Sequence, residues 1–328
     1  MTYPASTLIL TASDLDKVQV TSGDVLSAVE TAYDALSSGH SINPGKLTVA
    51  PGDRRSVAYS MLARDGHSET VAFKTSFKFD PHRDRTRKRY YTTLSLYDDT
   101  TGAPIALMDC GRIGALRTPA VSGLLIRGCA VPDASTVLVV GSGTQGRFAL
   151  PLALAAHPQF TDLELFATHP DGIAAVQDEL ARQCPGRTVR ISTDLEESVR
   201  RADVILAVAG EATPADIPSE WIRPGAVTIL VGYGLSASTL SDADYVVATS
   251  AEQMRTTGTD MAGPDGVLRG VDAELPDILA GRARARRTPH DRVFAYNSGL
   301  VVTDIALGLL FVDKAREQGL GSTLDLWS

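Results

Sequence analysis

The chain has 328 residues, of which 44% are hydrophobic and 6% aromatic, and 31 basic against 39 acidic residues give a formal charge of −8. That size predicts two domains and a full-sized core. The acidic balance argues against nucleic acid as the main partner. Cys110, Cys129 and Cys184 are too widely spaced for a disulfide framework or a zinc site and fit a reducing compartment, so no metal is expected. No stretch approaches the ~20 apolar residues of a membrane span, and no charged n-region opens the chain. The expectation is a cytoplasmic protein with no membrane partner.

In chain order, "TASDLDKV" offers a Ser or Asp N-cap, and "GDVLSAVETAYDALSSGH" has helical apolar spacing ending at Gly39. From about Leu47 to Leu107 the pattern turns strand-like: "SVAYSML", "TVAFKTSFKF", "YYTTLSLYD" and "PIALMD". "YDDTTGAPI" predicts a hairpin turn, with Gly102 free to take positive φ. "IGALRTPAVSGLLIRGCA" reads as a helix. From Ser135 the rhythm becomes β-loop-α, with strands "TVLVVG", "DLELFAT", "RTVRIS", "DVILAVA", "AVTILVGYG" and "YVVATS". Helices "GIAAVQDELARQ" and "DLEESVRRA" lie between them, which predicts a parallel, doubly wound sheet. A helix-like "PDILAGRARAR", a strand "VFAYNSG" and a last helix "VVTDIALGLLFVDKAREQG" close the chain.

Gly141, Gly143 and Gly146 form GxGxxG directly after a strand and at the start of a helix. The first glycine allows the tight turn, the second a close approach to pyrophosphate, and the third helix–strand packing. Thr144, Gln145 and Arg147 line the same loop, and Val208 and Gly232 end later strands on the cofactor side. An NAD site usually carries an acid at the end of the second strand, on the ribose. Here "LELFATHP" places Thr168 and His169 there, which can donate to a 2′-phosphate, with Arg147 as a further partner. NADP(H) is therefore favoured over NAD(H).

Three pieces, "VAFKTSFKFDP", "DDTTGAPIALMDCGRIGALRTPAVS" and "VLVVGSGTQGRFA", in this order and spacing resemble the ornithine cyclodeaminase/mu-crystallin family. "AELPDILAGR" and "FAYNSGLVVTDIALGLL" are similar to its C-terminal motifs, so the resemblance runs from about Asn43 to Leu310. It implies an α/β protein: a Rossmann dinucleotide-binding domain over 126–300, and a discontinuous α+β substrate/dimerisation domain over 1–125 plus a returning helix in 301–328. It also implies a homodimer paired through the substrate domains.

The resemblance places Arg117 where the family holds the substrate carboxylate, a role suited to a planar guanidinium. Lys74 matches the family's strand lysine near the carboxylate or reacting carbon, with Lys78 as the alternative if the strand register differs. Lys46 falls near a further carboxylate-binding position. Asn297 and Ser298 lie in the late motif and border nicotinamide or substrate. Asp304 in the same motif is a helix-stabilising or interface residue, and Asp109 caps the helix that follows it. In "VGYGLSAS", Ser236 stands where cyclodeaminases carry an Asp that manages substrate protons. Serine is no carboxylate base, and Tyr233, with an ordinary pKa near 10, is a donor.

The basic run Arg83–Arg89 is either a solvated loop or an attractor for a polyanionic substrate such as a dicarboxylate. "RARARR", Arg282–Arg287, has the weaker claim. The resulting expectation is an NAD(P)H-dependent enzyme that reduces an imino or ketimine acid, or runs in reverse as an amino-acid dehydrogenase. A cyclodeaminase and a non-catalytic NADP-binding protein are the alternatives.

Overall fold

A computed structural model describes residues 6–53, 55–79, 90–263 and 265–325. The run Arg83–Arg89 lies outside the described residues. The elements are β1 (Ser6–Leu10), α1 (Ala12–Lys17), α2 (Ser22–Ser37), β2 (Leu47–Val49), β3 (Ser56–Asp65), β4 (Thr70–Phe79), β5 (Tyr90–Asp98), β6 (Pro104–Asp109) and α3 (Gly111–Cys129). There follow β7 (Thr136–Val140), α4 (Gly146–Ala156), β8 (Asp162–Phe166), α5 (Pro170–Gln183), β9 (Arg190–Ile191), α6 (Leu195–Arg201), β10 (Val204–Ala207), β11 (Val227–Leu230) and α7 (Ser238–Ser241). The chain ends with β12 (Tyr245–Ala248), α8 (Ala251–Thr257), β13 (Ala273–Glu274), α9 (Leu275–Leu279), β14 (Val293–Tyr296), α10 (Val301–Glu317) and β15 (Ser322–Asp325).

The chain forms two compact units. The first comprises Met1–Val20, Ser27–Arg117 and Leu300–Ser328; the second comprises Thr21–Leu26 and Thr118–Gly299. The division falls after Arg117, inside α3, not at 125/126. Because α3 is one uninterrupted helix, no linker composition marks the border.

The first unit is built on a seven-stranded sheet of order β15-β1-β6-β5-β4-β3-β2. β1 pairs in parallel with β6, and the other neighbours are antiparallel. Alternation in β4 buries Thr70, Ala72 and Lys74 on one face and leaves Phe73 and Thr75 on the other. α10 packs on β3, β4 and β5. Gly308 permits that approach, since a Cβ there would lie 3.0 Å from Leu94 and 3.1 Å from Leu96. Across the opposite face runs a register row of Leu62, Phe73, Ser95 and Leu107, whose three apolar members are exposed.

The second unit carries an eight-stranded sheet of order β13-β12-β14-β11-β10-β7-β8-β9, paired in parallel throughout. Its central strands β10 and β11 are fully buried aliphatic runs, as helices on both faces require. Positive φ at Gly39 (76°) and Gly102 (72°) serves the helix stop and the hairpin turn.

Three local expectations are corrected. The N-cap of α1 is Thr11, which forms a capping box with Asp14. The strand in "RTVRIS" shortens to Arg190–Ile191. The helix in "PDILAGRARAR" stops at Leu279, because Gly281 turns the chain at φ 71°. "RARARR" is also not merely solvated: the Arg286 guanidinium donates to the carbonyls of Cys129, Gly225, Pro289 and Asp291.

The same turn holds Asp291, whose carboxylate accepts from Arg287 N at 2.7 Å, Thr288 N at 3.2 Å and Thr288 Oγ1 at 2.7 Å. Burial alone would raise its pKa, but these bonds and the Arg287 charge hold it at about 2. A carboxyl depressed in the folded state stabilises fully above its unfolded pKa, and that contribution is lost as pH falls toward 2. Asp291→Asn is therefore expected to lower the melting temperature at neutral pH. It should also flatten the further fall between about pH 4 and pH 2, measured by circular dichroism.

Candidate active site

The first unit brings three side chains to one carboxylate oxygen, Oδ1 of Asp304. Lys74, buried on the α10 side of β4, puts Nζ 2.8 Å from Asp304 Oδ1. Arg117, in α3, donates from Nε to the same oxygen at 3.4 Å. Cys110 Sγ lies 3.7 Å from it. Asp304 sits in the first turn of α10, where the helix dipole favours a carboxylate.

Burial alone would raise the Asp304 carboxyl; the charges and hydrogen bonds of Lys74 and Arg117 outweigh it and hold the pKa below the usual carboxylate value. A buried lysine, a partly buried arginine and one buried carboxylate leave a net single positive charge. Because Arg117 meets Asp304 through Nε, the terminal nitrogens of its fork are not spent on that bond. Burial pushes the Cys110 thiol up to about 12, which makes it packing and not a nucleophile.

Lys46 follows the irregular segment Asn43-Pro44-Gly45 and stands over the Tyr59 ring, 5.1 Å from its centroid. Tyr59 pairs with Ser76, two residues from Lys74, so Tyr59 and Lys74 share one sheet face. Partial burial lowers the Lys46 pKa. Asn43 Oδ1 accepts from Val302 N at 3.2 Å, tying this segment to the start of α10. Asp109 Oδ1 accepts from Gly111 N at 2.7 Å, at the start of α3. Lys78, also on β4, lies 5.8 Å from the Tyr90 ring centroid and makes no contact with Asp304.

In the second unit, β7 runs into Gly141, whose φ is 111°. A Cβ there would lie 2.6 Å from Ala209 Cα, and one on Gly146 would meet the Gly141 carbonyl. Gly143 has nothing within 4 Å of its Cβ position. Thr144 is exposed and Gln145 is the N-cap of α4 without a side-chain cap bond, so the helix start presents backbone N–H groups. This backbone fits the pyrophosphate of a dinucleotide.

Val208 and Gly232 sit just past β10 and β11, where Val208 N donates to Val140 O and Gly232 N to Ala207 O. Thr168 and His169 are exposed after β8, and His169 is the N-cap of α5. Arg147 is not free: it pairs with the buried carboxylate of Glu179 at 3.2 Å. Tyr233 is exposed and its N–H donates to Ala209 O at 3.0 Å. Ser236 Oγ accepts from Ser238 N at 3.4 Å and Ser238 Oγ at 3.2 Å.

Asn297 and Ser298 are both engaged by partners within the second unit. Asn297 Nδ2 donates to Thr118 O at 3.0 Å and Ser122 Oγ at 2.9 Å, so it holds α3 beside Arg117. The Ser298 hydroxyl meets Thr249 Oγ1 at 2.8 Å. Both are buried and bonded within the second unit. The convergence of Lys74 and Arg117 on Asp304 goes beyond a helix-stabilising or interface role. Its signal is a carboxylate inside the apolar run "VVTDIALGLLF", since a buried Asp needs a cation.

The family model described as "Ornithine cyclodeaminase/mu-crystallin family" matches residues 5–319. The chain belongs to the ornithine cyclodeaminase/mu-crystallin family. It is 23% identical to a Delta(1)-pyrroline-2-carboxylate reductase of Bacillus cereus, over 97% of this chain and 99% of that one. The structure of the Thermococcus litoralis Delta(1)-pyrroline-2-carboxylate reductase, in complex with NADH and L-proline, matches with a TM-score of 0.80 and 23% identity, covering 97% of this chain and 100% of that one. An archaeal alanine dehydrogenase dimer with bound NAD matches with a TM-score of 0.79 and 21% identity, covering 98% and 100%. No helix among the described residues is long and apolar enough to cross a membrane.

Proposed function

We propose that this chain is an NAD(P)H-dependent oxidoreductase that reduces the C=N bond of an imino or ketimine acid, or runs the reverse amino-acid dehydrogenation. The observation that carries the reading is the pairing of Lys74 and Arg117 on Asp304 in the first unit. It leaves one net positive charge, and the Asp304 bond uses only Nε of the guanidinium, the chemistry that suits one substrate carboxylate. The glycine turn of the second unit fits a dinucleotide, and a nicotinamide cofactor held there would supply the hydride chemistry.

Arg117 orients the acid, Lys74 and Lys46 add charge at the carboxylate, and Tyr233 supplies a proton. Ser236 is engaged with Ser238 and has no carboxylate with which to take up the protons of a diamino acid. That disfavours cyclodeamination. NADP(H) is favoured because exposed Thr168 and His169 replace an acid after β8; the Arg147–Glu179 pair lessens the claim of Arg147. The three free thiols fit the cytoplasm.

The test is steady-state oxidation of NADPH, then NADH, with cyclic and linear ketimino acids. Dicarboxylate imines belong in the panel because Arg83–Arg89 is strongly basic in sequence. Oxidation in proportion to imine supports the reading. Ammonia release from a diamino acid with only catalytic cofactor replaces it by a cyclodeaminase, and tight NADPH binding without turnover by a binding protein.

The exposed row of Leu62, Phe73 and Leu107 supports a homodimer formed through this sheet face. Phe73→Glu is expected to give a monomer in light scattering after size exclusion. A dimer of unchanged dissociation constant would place the interface elsewhere.

A further inference from the structure

We infer that Asp304 is a positioning residue for substrate: it presets Lys74 and Arg117 as a single carboxylate grip. The inference rests on the carboxylate role proposed above for those two cations.

Lys74 Nζ, Arg117 Nε and Cys110 Sγ, from β4, α3 and the residue just before α3, all converge on Oδ1. An ammonium on a four-carbon stem has no fixed direction of its own, whereas a 2.8 Å bond to a buried carboxylate gives it one. The same oxygen fixes the guanidinium by its inner nitrogen and leaves the outer edge for an incoming carboxylate. Without Asp304 the buried ammonium of Lys74 and the partly buried guanidinium of Arg117 repel each other and turn apart. Asp304 is itself held: Asn43 anchors the second residue of α10 at Val302, and Gly308 lets the helix lie close to β5. These contacts belong to the first unit.

A purely structural ion pair, binding α10 to the sheet, would make the same bonds. The two roles part in a double-mutant cycle. The variants are Lys74→Met, Asp304→Asn and the double, assayed with pyrroline-2-carboxylate and NADPH. Asp304→Asn is expected to raise KM about tenfold or more, with kcat within about threefold, since it disturbs binding and not hydride transfer. In the Lys74→Met background the same change should raise KM less than about threefold, because its main partner is gone. Equal factors in both backgrounds, or a loss of kcat at unchanged KM, overturn the inference.

If Asp304→Asn does not fold, the double variant is compared with Lys74→Met alone. It leaves no buried carboxylate unpaired; a KM within about threefold supports the role, and a further tenfold rise overturns it. If wild type reduces no imine, the reductase reading fails by itself. The grip is then read from the rise in melting temperature on adding L-proline. A rise in wild type that Asp304→Asn loses supports it, and no rise in wild type overturns it.

Discussion

Replacing Arg117 by methionine should lower kcat/KM for an imino acid by about 10²–10³-fold while NADPH binding stays intact. Truncating one partner of a buried, hydrogen-bonded charge pair costs about 2–5 kcal/mol, and each 1.4 kcal/mol is tenfold. The fold should tolerate the change. Lys74 and Asp304 remain as a neutral pair at 2.8 Å, so no buried charge is left alone. Methionine keeps the apolar stem that Arg117 contributes to α3. Arg117→Lys should recover only part of the loss, because an ammonium cannot offer two parallel donors to a carboxylate. Kinetics of the three proteins at fixed NADPH measure this. An Arg117→Met enzyme with wild-type kcat/KM would move the carboxylate seat away from this cluster and remove the main support of the proposed reaction.

Local patterning made much of the fold legible. Period-two alternation in "TVAFKTSFKF" places Lys74 on the buried face with Ala72, and Gly39 and Gly102 mark turns that need positive φ. The strand before Gly141 and the helix from Gly146 form as the β-loop-α rhythm predicts. What stayed hidden depends on partners distant in sequence. Asp304 lies 230 residues from Lys74 and 187 from Arg117, so no spacing rule joins them. Arg147 is adjacent to a glycine that invites a phosphate reading, yet the buried Glu179 on α5 takes it. Arg286 belongs to a charge run that composition assigns to solvent. The partly buried carbonyls of Cys129, Gly225 and Asp291 draw it inward, because a buried acceptor left unbonded costs more than burying part of an arginine. The border at Arg117 is hidden for a different reason: a helix crosses it without a break.

Two glycine substitutions in the loop should separate folding from cofactor binding. A methyl group on Gly146 would run into the Gly141 carbonyl, which is backbone and cannot rotate aside. The first turn of α4 must then move off β7, an overpacking cost of about 1–3 kcal/mol. For a unit of this size that lowers the melting temperature by about 2–4 °C per kcal/mol. The same displacement carries the N–H groups of the helix start away from an anion, so Gly146→Ala is expected to weaken NADPH at least about 100-fold as well. Gly143 differs, since nothing lies within 4 Å of its Cβ position and its φ is not positive. Gly143→Ala should leave the melting temperature of the apo protein unchanged. The added methyl instead occupies the space through which the loop backbone meets pyrophosphate, and NADPH should weaken at least about tenfold. Fluorescence titration of NADPH with paired melting curves reads both effects. A Gly143→Ala protein that binds NADPH as wild type does would show that no pyrophosphate lies on this turn, and the dinucleotide seat would have to be sought outside it.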